Sequence, residues 1–207
     1  MTNKHIIFDL DGTLAATAKA TAKAISAVEQ TYNLPKITDA DIREAMGLAG
    51  MEFYQKLFPG VPEETLVNAG REIDNYEDAM IIEIGQEILF QDAYEMLTNL
   101  TNKGLALYIA STGSKRHVEA TLNAGGIKHF FTEIHCDEPQ KIDMVKRIIA
   151  GRPTSQWIMV GDMYTDSEAA RGNNILALGA GYGYLAEEDK ALFDAVLNKP
   201  DDIFRHV

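Results

Sequence analysis

Asp9 and Asp11, separated by Leu10 and followed by Gly12 and Thr13, are the residues whose type and spacing first suggest chemistry. Two carboxylates this close are costly to bury unless something compensates them. A divalent cation does so, and hard cations such as Mg²⁺ take oxygen ligands. Gly12 permits the tight turn that lifts the chain away. Taken alone, Asp-x-Asp-Gly is equally an acidic turn after a strand. Three later places hold polar residues of matching kind: Ser111 with Thr112, Lys141, and Asp162 with Asp166.

The elements around these residues decide whether they can meet. Ile6 to Phe8 is a short apolar run suited to a strand buried on both faces, and Asp9 follows it. Leu105 to Ala110 is a second such run, ending in Ser111-Thr112-Gly113. Phe130 to His135 is a weak strand, Trp157 to Val160 leads into Gly161-Asp162, and Ile175 to Leu178 is the last clear strand. Helices fall between them. Asp92 caps one with Ala93, Met96, Leu97 and Leu100 inward and Gly104 at its end. Ser114 caps the next, with Val118 and Leu122 inward. Lys141 to Ile149, Asp166 to Arg171 and a terminal Pro200 to His206 follow. This alternation implies an α/β fold with a parallel, doubly wound sheet. Ligands of such sheets sit outside the carboxyl ends of the strands. Asp9, Ser111 and Asp162 therefore converge on one edge.

Between the first and second strands lies a block without strands. Ala15 to Tyr32 reads as a helix with Ile25, Val28 and Tyr32 on one face, ended by Asn33 and Pro35. Thr38 and Asp41 form a capping box for a short helix that stops at Gly47. Met51 to Phe58 is a further short helix, and a long one runs from Pro62 toward Ile84, broken by Gly85. The chain thus divides into a core of residues 1–14 and 86–207 and a helical insert of residues 15–85.

Composition narrows the function classes. The 207 residues carry 19 Lys and Arg against 31 Asp and Glu, a net charge of −12, which argues against nucleic-acid and anionic-membrane partners. A phosphate site here needs local positive charge. One cysteine, Cys136, rules out an intrachain disulfide and fits a reducing compartment. No signal peptide is visible, and no apolar run approaches the ~20 residues of a membrane span. The expectation is a soluble, cytoplasmic protein whose oligomeric state the sequence leaves open.

Taken in order, Asp9-Leu10-Asp11-Gly12-Thr13, Ser111, Lys141 and Gly161-Asp162 through Asp166 resemble the haloacid dehalogenase-like superfamily in its phosphatase branch. The insert is similar to the helical C1-type cap of phosphoglycolate phosphatase-like and β-phosphoglucomutase-like members. The resemblance spans nearly the whole chain and implies a Rossmann-like core. It implies Asp9 as a nucleophile forming an aspartyl-phosphate and Asp11 as general acid, then base. Mg²⁺ is expected on the Asp9 and Asp162 carboxylates and the Asp11 backbone carbonyl, with Asp166 orienting a ligand behind them or capping its helix. Ser111 is expected to donate to a phosphoryl oxygen and Lys141 to offset its charge. Thr112 and Arg43 are candidate substrate contacts. The implied substrate is a small phosphorylated metabolite, phosphoglycolate- or sugar-phosphate-like.

The chain departs from the family pattern in places. Ala15-Ala16-Thr17 lacks an Asp that relatives often carry, Gly113 stands where many have Lys, and Ile142 follows Lys141 where many have Pro. Lys115 and Arg116 read as solvated helix residues. The 43–51 loop is expected to face the site. The five histidines, His117 among them, show no metal spacing and read as structural or exposed. Cys136 reads as inert and Trp157 as core. A phosphosugar mutase and a non-catalytic receiver-like phosphoacceptor remain as alternatives.

Overall fold

The computed structural model describes residues 4–48, 50–138 and 140–207, so Ala49 of the expected 43–51 loop lies outside them. Six strands form one parallel sheet: β1 (His5–Phe8), β2 (Ala106–Ala110), β3 (Phe131–His135), β4 (Trp157–Gly161), β5 (Leu176–Ala180) and β6 (Ala195–Leu197). Their order is β3-β2-β1-β4-β5-β6. The sheet is wound outward both ways from β1, as the alternation of runs implies.

β1 pairs with β2 on one side and β4 on the other, and Phe8 lies opposite both Ile109 and Val160. Successive side chains of a strand point to opposite faces. Accordingly Ile6 and Phe8 enter one core with helices α5 (Ala93–Asn102) and α6 (Lys115–Ala124). Ile7 enters a second core, with Met144 and Val145 of α7 (Lys141–Ile148) and Ala169 of α8 (Tyr164–Gly172). Trp157 is buried there and stacks on His5 with ring centroids 4.5 Å apart.

A third core belongs to the insert, built from α1 (Ala18–Val28), α2 (Asp39–Ala45), α3 (Met51–Leu57) and α4 (Glu63–Ile84). The capping box at Thr38 and Asp41 is formed. This helical cap enters after the first strand, and the two chain passages joining it to the sheet touch. Ala15 pairs with Leu89 in an isolated antiparallel bridge, and the Ala16 N–H donates to the Ile88 carbonyl at 2.7 Å.

Several boundaries differ from the sequence reading for identifiable reasons. The first helix begins at Ala18 rather than Ala15, because that bridge holds Ala15 and Ala16 extended. Asp92 sits at the N-cap position of α5 but is left-handed, with φ 67°, and makes no side-chain cap bond. Ile175 to Leu178 is not the last strand. The three-residue β6 follows it, too short to show a period, and closes the sheet by pairing with β5. The terminal segment Pro200–Arg205 is a 3₁₀ helix.

Ile6 is fully buried in β1, one of the two central strands. Ile6→Ala is expected to cost about 2–5 kcal/mol, because it leaves a cavity that rigid strands on both sides cannot close. Urea unfolding checks this, as a lowered midpoint at unchanged m-value.

Candidate active site

The carboxyl ends of β1 and β4 lie side by side, and the Asp9 N–H donates to the Val160 carbonyl at 2.9 Å. This brings together Asp9 and Asp162, which are far apart in sequence. Asp166, from the first turn of α8, completes a cluster in which one carboxylate oxygen from each residue lies within 4.8 Å of the others. All three are buried. Gly12, at φ +82°, and Gly161 lie where a β-carbon would collide with Asp162 and Asp166 respectively. The acidic edge therefore leaves no room for a side chain at either position.

Lys141 opens α7, and its ammonium is buried among these groups. Nζ donates to Asp9 Oδ1 and to Asp166 Oδ1, both at 2.7 Å. Burial alone would lower the pKa of this ammonium; Asp166 and Asp9 outweigh burial and raise it, so Lys141 stays charged. One cation cannot balance three carboxylates. Burial, together with repulsion from Asp166 and Asp11, pushes Asp9 up to about 7 despite Lys141. Burial and the charges of Asp9 and Asp166 raise Asp162 well above the usual carboxylate range.

Thr13 donates to Asp162 Oδ1 at 2.8 Å, while Asp162 Oδ2 is buried without a hydrogen-bond partner. An orphaned carboxylate oxygen inside an acidic cluster is what a divalent cation would satisfy. The three aspartates could hold such an ion. Asp166 does two jobs at once: Oδ1 meets Lys141, and Oδ2 accepts the Met163 N–H at 3.0 Å, capping α8.

The Asp11 carboxylate does not join this cluster. Thr17 donates to Asp11 Oδ1 at 2.8 Å, and His117 Nε2 lies 2.8 Å from the same oxygen. Thr17 thus anchors the site although the neighbouring Asp of relatives is absent. His117 is where the sequence reading needs correction. It is not exposed, because it contacts Asp11 and faces the cap, with Nδ1 3.6 Å from Glu77 and 3.9 Å from Asp78 of α4. Burial would lower its pKa, but Asp11 and Glu77 outweigh burial and push it up to about 10, so the ring is an imidazolium. In turn, His117 and Thr17 overcome the burial of Asp11 and hold its carboxyl below its ordinary value. Arg116 is not simply solvated either, since Nε lies 2.6 Å from Asp78 Oδ2. The available signal was position: α6 starts just after Ser111, so its first turn lies over the strand ends.

Ser111 is buried at the end of β2, and its Oγ accepts the Gly113 N–H at 3.1 Å. Thr112 donates to the Gly47 carbonyl of the cap at 3.2 Å, and so links core to cap. Met46, Gly47, Leu48 and Gly50 line a cavity of about 150 Å³ that also reaches Asp11 and His117. Arg43 is not on that wall. It lies within α2 and packs over the Tyr184 ring, in a separate cleft. Cys136 is half-buried, and burial raises its thiol pKa.

A doubly wound sheet with an acidic edge and a helical cap defines a class of capped α/β hydrolase. Residues 6–180 match the family model for haloacid dehalogenase-like hydrolase, and the chain belongs to that family. The pairing of Asp9 with Asp162 is consistent with phosphatase activity within it. The chain is 27% identical over 209 residues to pyrophosphatase PpaX of Listeria welshimeri, covering 96% of this chain and 93% of that protein. It is 26% identical over 196 residues to phosphoglycolate phosphatase of Haemophilus influenzae, covering 87% of each. A predicted phosphoglycolate phosphatase from Haemophilus somnus superposes with a TM-score of 0.89 at 22% identity, over 100% of this chain and 98% of that one. β-Phosphoglucomutase from Clostridium difficile gives 0.78 at 20% identity, over 98% and 94%. These two likenesses show the fold alone. No helix among the described residues is long and apolar enough to cross a membrane.

Two predictions arise from this charge balance. A carboxyl with a raised folded-state pKa keeps a proton that the unfolded chain has released, so its contribution to stability falls as pH rises from about 3.8 to about 7 for Asp9. A cation that binds only the folded, ionised cluster reverses this. Mg²⁺ is therefore expected to raise the melting temperature more at pH 8 than at pH 5, as read by thermal unfolding with and without the ion. His117→Ala is expected to lower stability at pH 7 by about 3–5 kcal/mol, since it strips a cation from buried acids. The stabilisation from His117 is complete below its unfolded pKa of 6.5 and lost as pH rises through about 10, so urea titrations should show wild type and variant converging there.

Proposed function

We propose that this protein is a Mg²⁺-dependent phosphatase that hydrolyses a small phosphorylated metabolite through an aspartyl-phosphate on Asp9. The observation that carries this reading is the buried constellation of Asp9, Asp162, Asp166 and Lys141, with one Asp162 oxygen lacking a partner. The relatives named pyrophosphatase and phosphoglycolate phosphatase support phosphoryl chemistry. Asp9, Asp162 and Asp166 would hold the ion, with the Asp11 backbone carbonyl as a further ligand. Bound there, Mg²⁺ would offset the repulsion between an anionic nucleophile and an anionic phosphoryl group.

The chain's own residues divide the remaining work. An Asp9 oxygen attacks phosphorus as the bond to the leaving oxygen breaks. Lys141 holds Asp9 in line and counters charge on the transferring group, and the Ser111 hydroxyl donates to one of its oxygens. The proton that the leaving oxygen takes comes from the His117 imidazolium by way of Asp11, which is bonded to it. The pair then accepts a proton from the water that attacks phosphorus, which frees Asp9 and releases phosphate. The cap, tied to the core through Thr112 and Gly47, restricts entry of other water.

Phosphate release from a panel of phosphorylated metabolites, with and without EDTA, tests the reading. Asp9→Asn is expected to reduce turnover by about 10³-fold or more, and chelator to abolish it. Full activity in EDTA, or a fully active Asp9→Asn variant that folds normally, contradicts it. Stable phosphorylation without turnover instead marks a phosphoacceptor.

A further inference from the structure

The cavity that reaches Asp11 and His117 offers space beside the carboxylates for the part of the substrate beyond the phosphate. Its charged wall comes from two elements. Cap helix α4 supplies Asp74, Glu77 and Asp78; core helix α6 supplies Arg116 and His117. With Asp11 this makes four carboxylates against two cations. Both cations are already paired: Arg116 with Asp78 at 2.6 Å, and His117 with Asp11 at 2.8 Å, with Glu77 beyond it. Asp74 and Glu77 use hydroxyl donors in addition, Tyr54 and Thr21 respectively. Lys141, the other buried cation nearby, is shared between Asp9 and Asp166. Among the described residues, each cation lining this cavity already faces a carboxylate, so a second anionic group would have to compete for it. The rest of the wall combines apolar side chains from Met46, Leu48 and Phe53, backbone, and the uncharged hydroxyls of Thr21, Tyr54, Thr112 and Ser114.

We infer that the substrate is the phosphate ester of an alcohol bearing no negative charge, and that the cavity disfavours a carboxylate or second phosphate on the leaving group. This rests on the phosphatase reading above and selects within it. A carboxylate placed here would be desolvated among like charges, and breaking the Arg116 or His117 pairs to meet it would orphan a buried acid. A hydroxyl or ammonium group finds carboxylate acceptors on α4 instead.

Three esters of nearly constant size isolate the charge: 2-phosphoglycolate, 2-hydroxyethyl phosphate and O-phosphoethanolamine. Each is measured as an inhibitor of p-nitrophenyl phosphate hydrolysis by the full chain with Mg²⁺. The hydroxyl and amine esters are expected to bind about tenfold or more tightly than phosphoglycolate. Asp74→Asn, which removes one wall charge, is expected to narrow that gap, as is added salt. Phosphoglycolate binding as tightly as either other ester overturns the inference and leaves the phosphatase reading standing. Failure to hydrolyse p-nitrophenyl phosphate and every ester of the metabolite panel defeats that reading, and this inference with it.

Discussion

The bond of Lys141 to both Asp9 and Asp166 is the constraint on which the site depends. Three acids buried at one sheet edge repel one another, and a single ammonium, itself buried, keeps them close. The geometry follows from strand register. With Phe8 opposite Val160, Asp9 emerges beside Gly161 and Asp162, and the bare glycines leave the space the carboxylates occupy. The charge that remains uncompensated is the chemical character of the edge. Its three carboxylates could hold a divalent cation.

A second charge system lies above the first and belongs to both the cap and the core. Here a histidine and an arginine on one helix face three acids on another. Asp11 is the link between the two systems, since it leaves the β1 strand end yet pairs upward with His117. The same contacts that seat the cap therefore set the charge and orientation of Asp11.

Much of this was legible in the sequence because it is local. The apolar runs ending in Asp9, Ser111 and Gly161-Asp162 mark strand ends, and in a parallel sheet strand ends meet. Lys141 and Asp166 follow the same logic, each in the first turn of a helix that starts above that edge. What stayed hidden depends on contacts made across the fold. His117 carries no motif; its surroundings come from α4, whose Glu77 and Asp78 lie about 40 residues away in sequence and adjacent in space. Arg43 had the right charge and the right domain, but α2 turns it toward Tyr184 rather than the cavity. Ala15 has high helix propensity, and pairing with Leu89 overrides it. β6 is three residues long, and only its neighbour makes it a strand.

The bridge between Ala15 and Leu89 has a bearing on how such an architecture is assembled. The chain leaves the sheet layer and returns to it at virtually the same point. The whole helical excursion is thus a detour that alters neither the path nor the spacing of what it interrupts. An excursion with touching ends can be lengthened, shortened or exchanged for another without altering how the strands beneath it pair, so its outer surface can change while the few residues that reach down to Asp11 are kept.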